Sequence, residues 1–378
     1  MIAAGLVLAA VVEAGLDVVG ASHGGVLAGK RVGLVANAAS VAADGRAALA
    51  VLQASGIVVV RLFAPEHGLG AVTAAGEATA DARDPTSGLP VVSLYGARRK
   101  PALADIQDLD ALVFDLQDAG VRFYTYSSTL LLCLDAAAEA GIEIVVLDRP
   151  NPLGGDLLEG PLTDVPLVHG LTLGELARLA NTHRAHPARL RVVTMRGWRR
   201  SMTWRETGRA WVAPSPNLRT AEAALVYPGS ALLEGTNVSE GRGTDAPFLT
   251  IGAPWVDAPA LAALKAPGLA LAAERFTPRP SNAAPDPKFQ DVECRGLRIA
   301  VTDSTKVRPY AFGLALVDAL RRTPEFRWLR DGAALDALLG TPKVREALQR
   351  GESVASILAN DAAAIEAFRR ERQASLLY

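Results

Sequence analysis

A chain of 378 residues is long for one hydrophobic core, so two domains are expected. Half of the residues are hydrophobic and 21% are charged, a globular and not a disordered composition. With 39 Lys+Arg against 40 Asp+Glu the net charge is −1 and no long basic run occurs, which argues against nucleic acid or an anionic membrane surface as a main partner.

The chain starts Met1-Ile2-Ala3-Ala4 and stays apolar to Val12, where Glu13 closes the run. This stretch lacks a basic flank and is too short to span a bilayer, so it reads as a cytoplasmic start; a periplasmic or secreted location requires a trimmed start. Five apolar, strand-like runs follow, and each ends in polar residues. Arg31-to-Ala36 leads to Asn37, Val58-to-Ala64 to Pro65-Glu66-His67-Gly68, and Val91-to-Leu94 to Tyr95-Gly96. Ala111-to-Phe114 leads to Asp115-Leu116-Gln117-Asp118, and Ile144-to-Leu147 to Asp148-Arg149-Pro150-Asn151. Helix-like segments separate them: Gly45 to Ser55, Pro101 to Leu109 with proline in the first turn, and Ser127 to Gly141 with glycine as the stop. Such alternation is the signature of parallel β-α-β units.

A helix from Thr172 to Thr182 opens on a capping-box pattern, and Leu190 to Met195 reads as a further strand. From Trp198 the texture changes to turn-rich backbone, with Pro214-Ser215-Pro216-Asn217 and Tyr227-Pro228-Gly229. The Gly-punctuated stretch from Leu232 to Phe248 is too long and too charged for a mere connector. Beyond Pro254 a second unit is expected, with strands near 269–276 and 297–303 and helices near 311–321 and 353–372. Cys133 lies in an apolar helical run far from Cys294 and reads as a buried reduced thiol. No C-x-x-C or H-E-x-x-H spacing exists and the five histidines are scattered, so no metal site is expected.

In an open α/β sheet, ligands sit outside the carboxyl ends of the strands. Glu66 and His67, framed by a ladder-stopping proline and a turning glycine, should face that crevice. Asp115 and Asp118 flank Gln117 and precede Arg122, Phe123 and Tyr124, a polar pocket with a stacking wall; either aspartate alone also suits a helix cap. Asp148 and Arg149 read equally as a structural ion pair or as substrate ligands, and Asn151 sits stiffened between two prolines. Glu240 and Arg242 alternate with Gly241 and Gly243, which permit close approach to a ligand. Neither G-x-x-x-x-G-K-S/T nor G-x-G-x-x-G is present, so a nucleotide-dependent enzyme has little support.

Carboxylates, amides, arginine and aromatic rings without a metal motif suit a carbohydrate site. Glycoside cleavage generally takes one protonated and one ionised carboxyl group, the former against a dry, apolar wall. Glu66, behind Phe63-Ala64-Pro65, fits the acid, with Glu240 or Asp118 as its partner. A non-catalytic muropeptide- or sugar-binding protein using the same cleft is the alternative.

The segments LFAPEHG, GLPVVSLYG, FDLQDAGVRFYTYSSTL, VLDRPNPLGG, HGLTLGELA, PSPN, YPGSALLEGTNVSEGRGTDAPF and the closing SLLY occur in this order from about Gly15 to Tyr378. Together they resemble a bacterial family, once a domain of unknown function, now associated with exo-β-N-acetylmuramidases. The resemblance implies an α/β fold with a Rossmann-like catalytic domain over residues 1–250 and a smaller α+β auxiliary domain over 251–378. It implies release of non-reducing terminal N-acetylmuramic acid from peptidoglycan fragments, a small carbohydrate substrate and no cofactor. The residues it carries over are Glu66, His67, Asp115, Gln117, Asp118, Arg122, Tyr124, Asp148, Arg149, Asn151, Asn217, Glu234, Asn237, Glu240 and Arg242, to which the first strand end adds Asn37. Arg242, Arg122 or His67 would meet the lactyl carboxylate of the sugar. Two departures stand out: only seven residues separate Pro161 from His169, where the family commonly inserts a segment, and Ala71-Val72-Thr73-Ala74 replaces an acidic position after PEHG.

Overall fold

The computed structural model describes residues 11–378, so residues 1–10 of the apolar start lie outside the described residues. Seven strands form, of which β3 is exposed and β7 only half-buried: β1 (Arg31–Ala36), β2 (Val58–Ala64), β3 (Ala82–Arg83), β4 (Pro90–Ser93), β5 (Ala111–Asp115), β6 (Glu143–Leu147) and β7 (Arg189–Val193). They make one sheet in the order β3-β4-β2-β1-β5-β6-β7. Every pairing is parallel except that of β3 with β4.

Alternate residues of the central strands feed two cores. Val32, Leu34, Val113 and Val145 pack with α1 (Gly15–Ala21) and α2 (Ala48–Ala54). Val35, Leu112, Phe114, Ile144 and Val146 face the side of α3 (Leu103–Ile106), α4 (Thr125–Ala140) and α5 (Leu173–Thr182). The sheet is therefore doubly wound, as continuous apolar strands require. Gly141, at φ 68°, ends α4 in the left-handed conformation, and Thr172 and Glu175 close the expected capping box on α5.

The second unit gathers α6 (Ala221–Ser230), β8 (Thr250–Ala253), α7 (Ala258–Ala262), β9 (Leu269–Phe276), β10 (Cys294–Val301), α8 (Pro309–Leu320), α9 (Ala333–Leu339), α10 (Lys343–Gln349) and α11 (Val354–Glu371). Its three strands form an antiparallel sheet in the order β8-β10-β9. Here the sequence expectation needs correcting, because Tyr227-Pro228-Gly229 is helical and not a turn. Packing explains it: a Cβ on Gly229 would stand 2.0 Å from the Pro309 carbonyl oxygen, and one on Gly313 2.5 Å from Gly229 Cα. The glycines let α6 and α8 cross in backbone contact, and that burial outweighs the poor helix propensity of Pro-Gly.

The core under α4 and α5 continues without a polar break into Leu232, Phe248, Ile251, Leu297 and Leu314 of the second unit. The chain end returns to the first unit, where the Tyr378 hydroxyl donates to Asp148 at 2.8 Å. Both cysteines are buried free thiols. Among the described residues no helix is long and apolar enough to cross a membrane.

Candidate active site

β2 ends at Ala64, and Pro65 stops the ladder. His67 and Gly68 then take left-handed φ values of 72° and 74°. The tight loop this makes is closed by the amides of Val72 and Thr73, which donate to the His67 carbonyl at 3.1 and 3.2 Å. A histidine with positive φ is uncommon and needs surrounding structure to hold it. Here the ring is held as well: Nδ1 stands 2.8 Å from the Thr73 carbonyl oxygen. A carbonyl only accepts, so Nδ1 carries the hydrogen and Nε2 of the neutral ring keeps its lone pair. Burial pushes the His67 pKa down, and Arg242 acts in the same direction, against the Thr73 carbonyl and Glu66.

Glu66 is buried and fixed from two sides. Its Oε1 accepts from the Gly76 amide at 2.9 Å and its Oε2 from the Thr125 hydroxyl at 2.7 Å. Thr125 is the first residue of α4, so the start of that helix positions the carboxylate. Beside it lies Tyr95, whose phenol is pushed above its ordinary value by burial and by the Glu66 charge.

These groups open on a cavity of about 160 Å³ between the two units. Glu66, His67 and Thr125 come from the strand-end side, Ser215, Pro216 and Asn217 from the PSPN loop, and Glu234, Arg242 and Leu338 from the second unit. Phe123, Tyr124, Tyr227 and Phe248 supply an aromatic wall. Its rings meet edge to face, at centroid distances of 5.4 Å for Phe123–Tyr227 and 4.6 Å for Tyr227–Phe248. Tyr124 caps α4 and its buried hydroxyl rises above the usual range. Asn217 donates from Nδ2 to the Ala283 carbonyl at 2.7 Å, tying the PSPN loop to the second unit.

Arg242 lies over the Phe248 ring at 5.1 Å and organises the acidic loop. Its Nη2 donates to Glu234 Oε1 at 2.7 Å and its Nε stands 3.1 Å from Glu240 Oε1. Glu240 is buried, which favours its neutral form, but Lys288 at 3.0 Å and Arg242 outweigh burial and hold its pKa below the ordinary value. Lys288 also donates to the carbonyls of Leu233 and Val238, at 2.8 and 3.0 Å. Glu240 is therefore an anchor between two cations. It lines an adjoining compartment and not the cavity of Glu66, whose other carboxylate is Glu234.

Several expected site residues do not reach that cavity, and each has an internal partner. Asp115 is fully buried in a bidentate ion pair with Arg149, which also donates to the Val41 carbonyl at 3.0 Å. Asp118 Oδ2 accepts from the Gly120 amide at 2.9 Å and faces His169 Nε2 at 3.3 Å, so it is no partner for Glu66. Gln117 donates to the Asp118 and Pro150 carbonyls, both at 2.9 Å. Asp148 accepts from Thr172, Gly174 and Tyr378 at the start of α5. Asn151 donates to the Leu171 carbonyl and accepts from the Leu153 amide. Arg122 donates to the carbonyls of Pro161, Val165 and Leu339, clamping the two units, and does not line the cavity. Asn37 is held by Tyr126 and the Pro214 carbonyl behind the site. Asn237 is paired with the backbone of Glu325 and Arg327.

Two family models match consecutive stretches of the chain: exo-β-N-acetylmuramidase NamZ, N-terminal, over residues 32–222, and its C-terminal counterpart over 225–378. The chain belongs to the NamZ family. The peptidoglycan β-N-acetylmuramidase NamZ of Bacillus subtilis (strain 168) is 38% identical over 385 residues, covering 97% of this chain and 91% of that protein. Two DUF1343-family crystal structures from Bacteroides fragilis share the fold. One has a TM-score of 0.84 at 31% identity, covering 97% of this chain and 99% of that one. The other has a TM-score of 0.78 at 28% identity, covering 98% and 99%. NamZ membership makes the chain a glycosidase and agrees with the α/β, Rossmann-like fold expected from sequence.

Among lining residues, the sequence did not single out Thr125, Tyr227, Phe248 and Lys288. Thr125 and Tyr227 lie inside recognised motifs, whereas Lys288 lies in none of them and carried no signal.

Proposed function

We propose that the protein releases non-reducing terminal N-acetylmuramic acid from β-1,4-linked peptidoglycan fragments, with Glu66 as general acid. The observation that carries this reading is the Glu66 carboxyl group, buried in the cavity wall and held by donors from two separate elements. Glu66 gives its proton to the glycosidic oxygen as the C1–O bond breaks. Water supplies the hydroxyl to C1, and the proton it loses restores the protonation of the carboxyl pair. Glu234, the other carboxylate in the same wall, faces the positive charge that develops on the ring.

Binding follows from the other walls. The aromatic side covers the apolar faces of the sugar, and His67 Nε2 accepts from a sugar hydroxyl. Arg242 already has its Nε and Nη2 oriented by Glu240 and Glu234, which leaves Nη1 to meet the lactyl carboxylate. Turnover of a chromogenic β-N-acetylmuraminide tests the proposal. Glu66→Gln should lower kcat by about 10³ with an unchanged melting temperature, within the usual range for losing a general acid. Wild-type protein that binds the glycoside without cleaving it would instead establish the sugar-binding alternative.

A further inference from the structure

The cavity around Glu66 adjoins a second, larger compartment. Ala75, Glu234 and Arg242 line both, so the two meet across these three side chains. The second space has a volume of about 380 Å³ and is otherwise walled by Ala74, Glu77, Glu240 and residues 283–288. That last stretch is preordered. Ser281 and Ala284 exchange backbone hydrogen bonds at 2.9 and 3.0 Å, Asn217 holds the Ala283 carbonyl, and Lys288 is tied to Glu240 and two carbonyls. Pro285 and Pro287 stiffen the backbone between these ties.

The charge of this wall is one-sided. Arg242 and Lys288 compensate Glu234 and Glu240, whereas Glu77 and Asp286 have no ion-pair partner among the described residues and are exposed at the rim. An exo-acting glycosidase must lodge its terminal sugar in one space and lead the remainder of the substrate out through another. The bond to be cut then lies at the boundary, where Glu234 and Arg242 stand.

We propose that the compartment walled by residues 283–288 and Glu77 receives the leaving-group sugar, a neutral or cationic hexosamine, and disfavours an anionic one. This rests on the glycosidase reading given above. The second unit thereby acts as the reader of the leaving group, with Ala283, Asp286 and Glu77 as specificity determinants.

The test compares three substrates of one terminal sugar: the β-glycosyl fluoride, whose leaving group is a single atom, the β-1,4-linked disaccharide, and that disaccharide with a phosphate at its reducing end. Ala283→Trp fills the compartment and leaves the backbone carbonyl that Asn217 holds. It should lower kcat/KM for the disaccharide by about tenfold, equivalent to about 1.4 kcal/mol, with the fluoride changed less than about twofold. The pair Glu77→Lys and Asp286→Lys lies on the exposed rim and serves if the tryptophan variant folds poorly. It should raise kcat/KM for the phosphate-bearing substrate by about threefold relative to the neutral one, an advantage that salt erodes. Equal losses on fluoride and disaccharide, no loss on either, or no change in the phosphate ratio would overturn the subsite while leaving the hydrolase reading intact. Wild-type protein inert toward both fluoride and disaccharide would overturn both.

Discussion

After β2 the fold sets a carboxylate against two neutral donors, Thr125 and the Gly76 amide, in the wall of a cavity. After β5 and β6 it sets one against the guanidinium of Arg149, beside a cavity of only about 60 Å³. Both clusters present a carboxylate at a strand end of one sheet, with β1 between β2 and β5. Their difference lies in the partner: Asp115 and Arg149 neutralise each other and hold two strand ends together, whereas the donors on Glu66 are neutral and orient it without a counterion. Polar residues at a strand end thus mark either a site or a latch, and the compensating charge decides which.

Removing one member of each pair separates the two roles. Asp115→Ala leaves Arg149 buried without a counterion, which should cost about 3–5 kcal/mol of unfolding free energy in a urea titration. The molecules that stay folded should retain their kcat. Glu66→Gln should show the reverse, full stability with activity lost. An Asp115→Ala protein that melts like the wild type but fails to turn over would move Asp115 from the latch to the site.

Asp148 belongs to the latch side as well, and its titration sharpens the contrast. Burial pushes its carboxyl up to about 6, against the pull of Thr172, the Gly174 amide and Tyr378. A carboxyl that binds its proton more tightly folded than unfolded contributes most while protonated. That contribution is full below the ordinary value of 3.8 and is lost as pH rises through about 6. The shift corresponds to on the order of 2–3 kcal/mol. Asp148→Asn does not titrate, so the stability gap between variant and wild type should move in favour of the variant by that amount between these pH values. Parallel stability profiles of variant and wild type from about pH 3 to about pH 8, limits outside both values, would show that Asp148 keeps an ordinary titration.

On the site side, Arg242→Lys keeps the charge among Glu234 and Glu240 but loses the planar fork. It should reduce the preference for an N-acetylmuraminide over the matching N-acetylglucosaminide by about tenfold, through KM more than kcat. An unchanged preference would place the lactyl carboxylate elsewhere.

Much of the fold is legible in the sequence because its causes are local. Five apolar runs bounded by proline, glycine and acidic residues become β1, β2, β4, β5 and β6 within two residues, and Thr172 with Glu175 announces the start of α5. Glu66 is legible for the same reason, since Pro65 and Gly68 adjoin it. The latch is not. That Asp115 meets Arg149 depends on β5 and β6 being adjacent and in register, which no single run encodes. Lys288, which pins Glu240 from 48 positions away, is reached only through the folded loop. The helix through Tyr227-Pro228-Gly229 defeats a propensity reading because its cause, the contact of Gly229 with Gly313, lies on another helix.

The smallest expected effect probes how Glu66 is held. Thr125 touches the carboxylate from the first turn of α4, so it is a positioning residue, one step from the substrate. Thr125→Val removes one hydrogen bond to a charged acceptor and keeps the side-chain shape. Such bonds contribute about 1.5–3 kcal/mol when both partners are fixed, and the Gly76 amide still holds the other oxygen, so a loss of about fivefold in kcat is expected. KM should stay within about twofold, because binding energy from the aromatic wall and Arg242 is untouched. Thr125→Ser restores the hydroxyl and should restore kcat. If the valine variant keeps full kcat and the serine variant loses it, the methyl group and not the hydroxyl is what the site needs, and the orientation of Glu66 then comes from packing against α4.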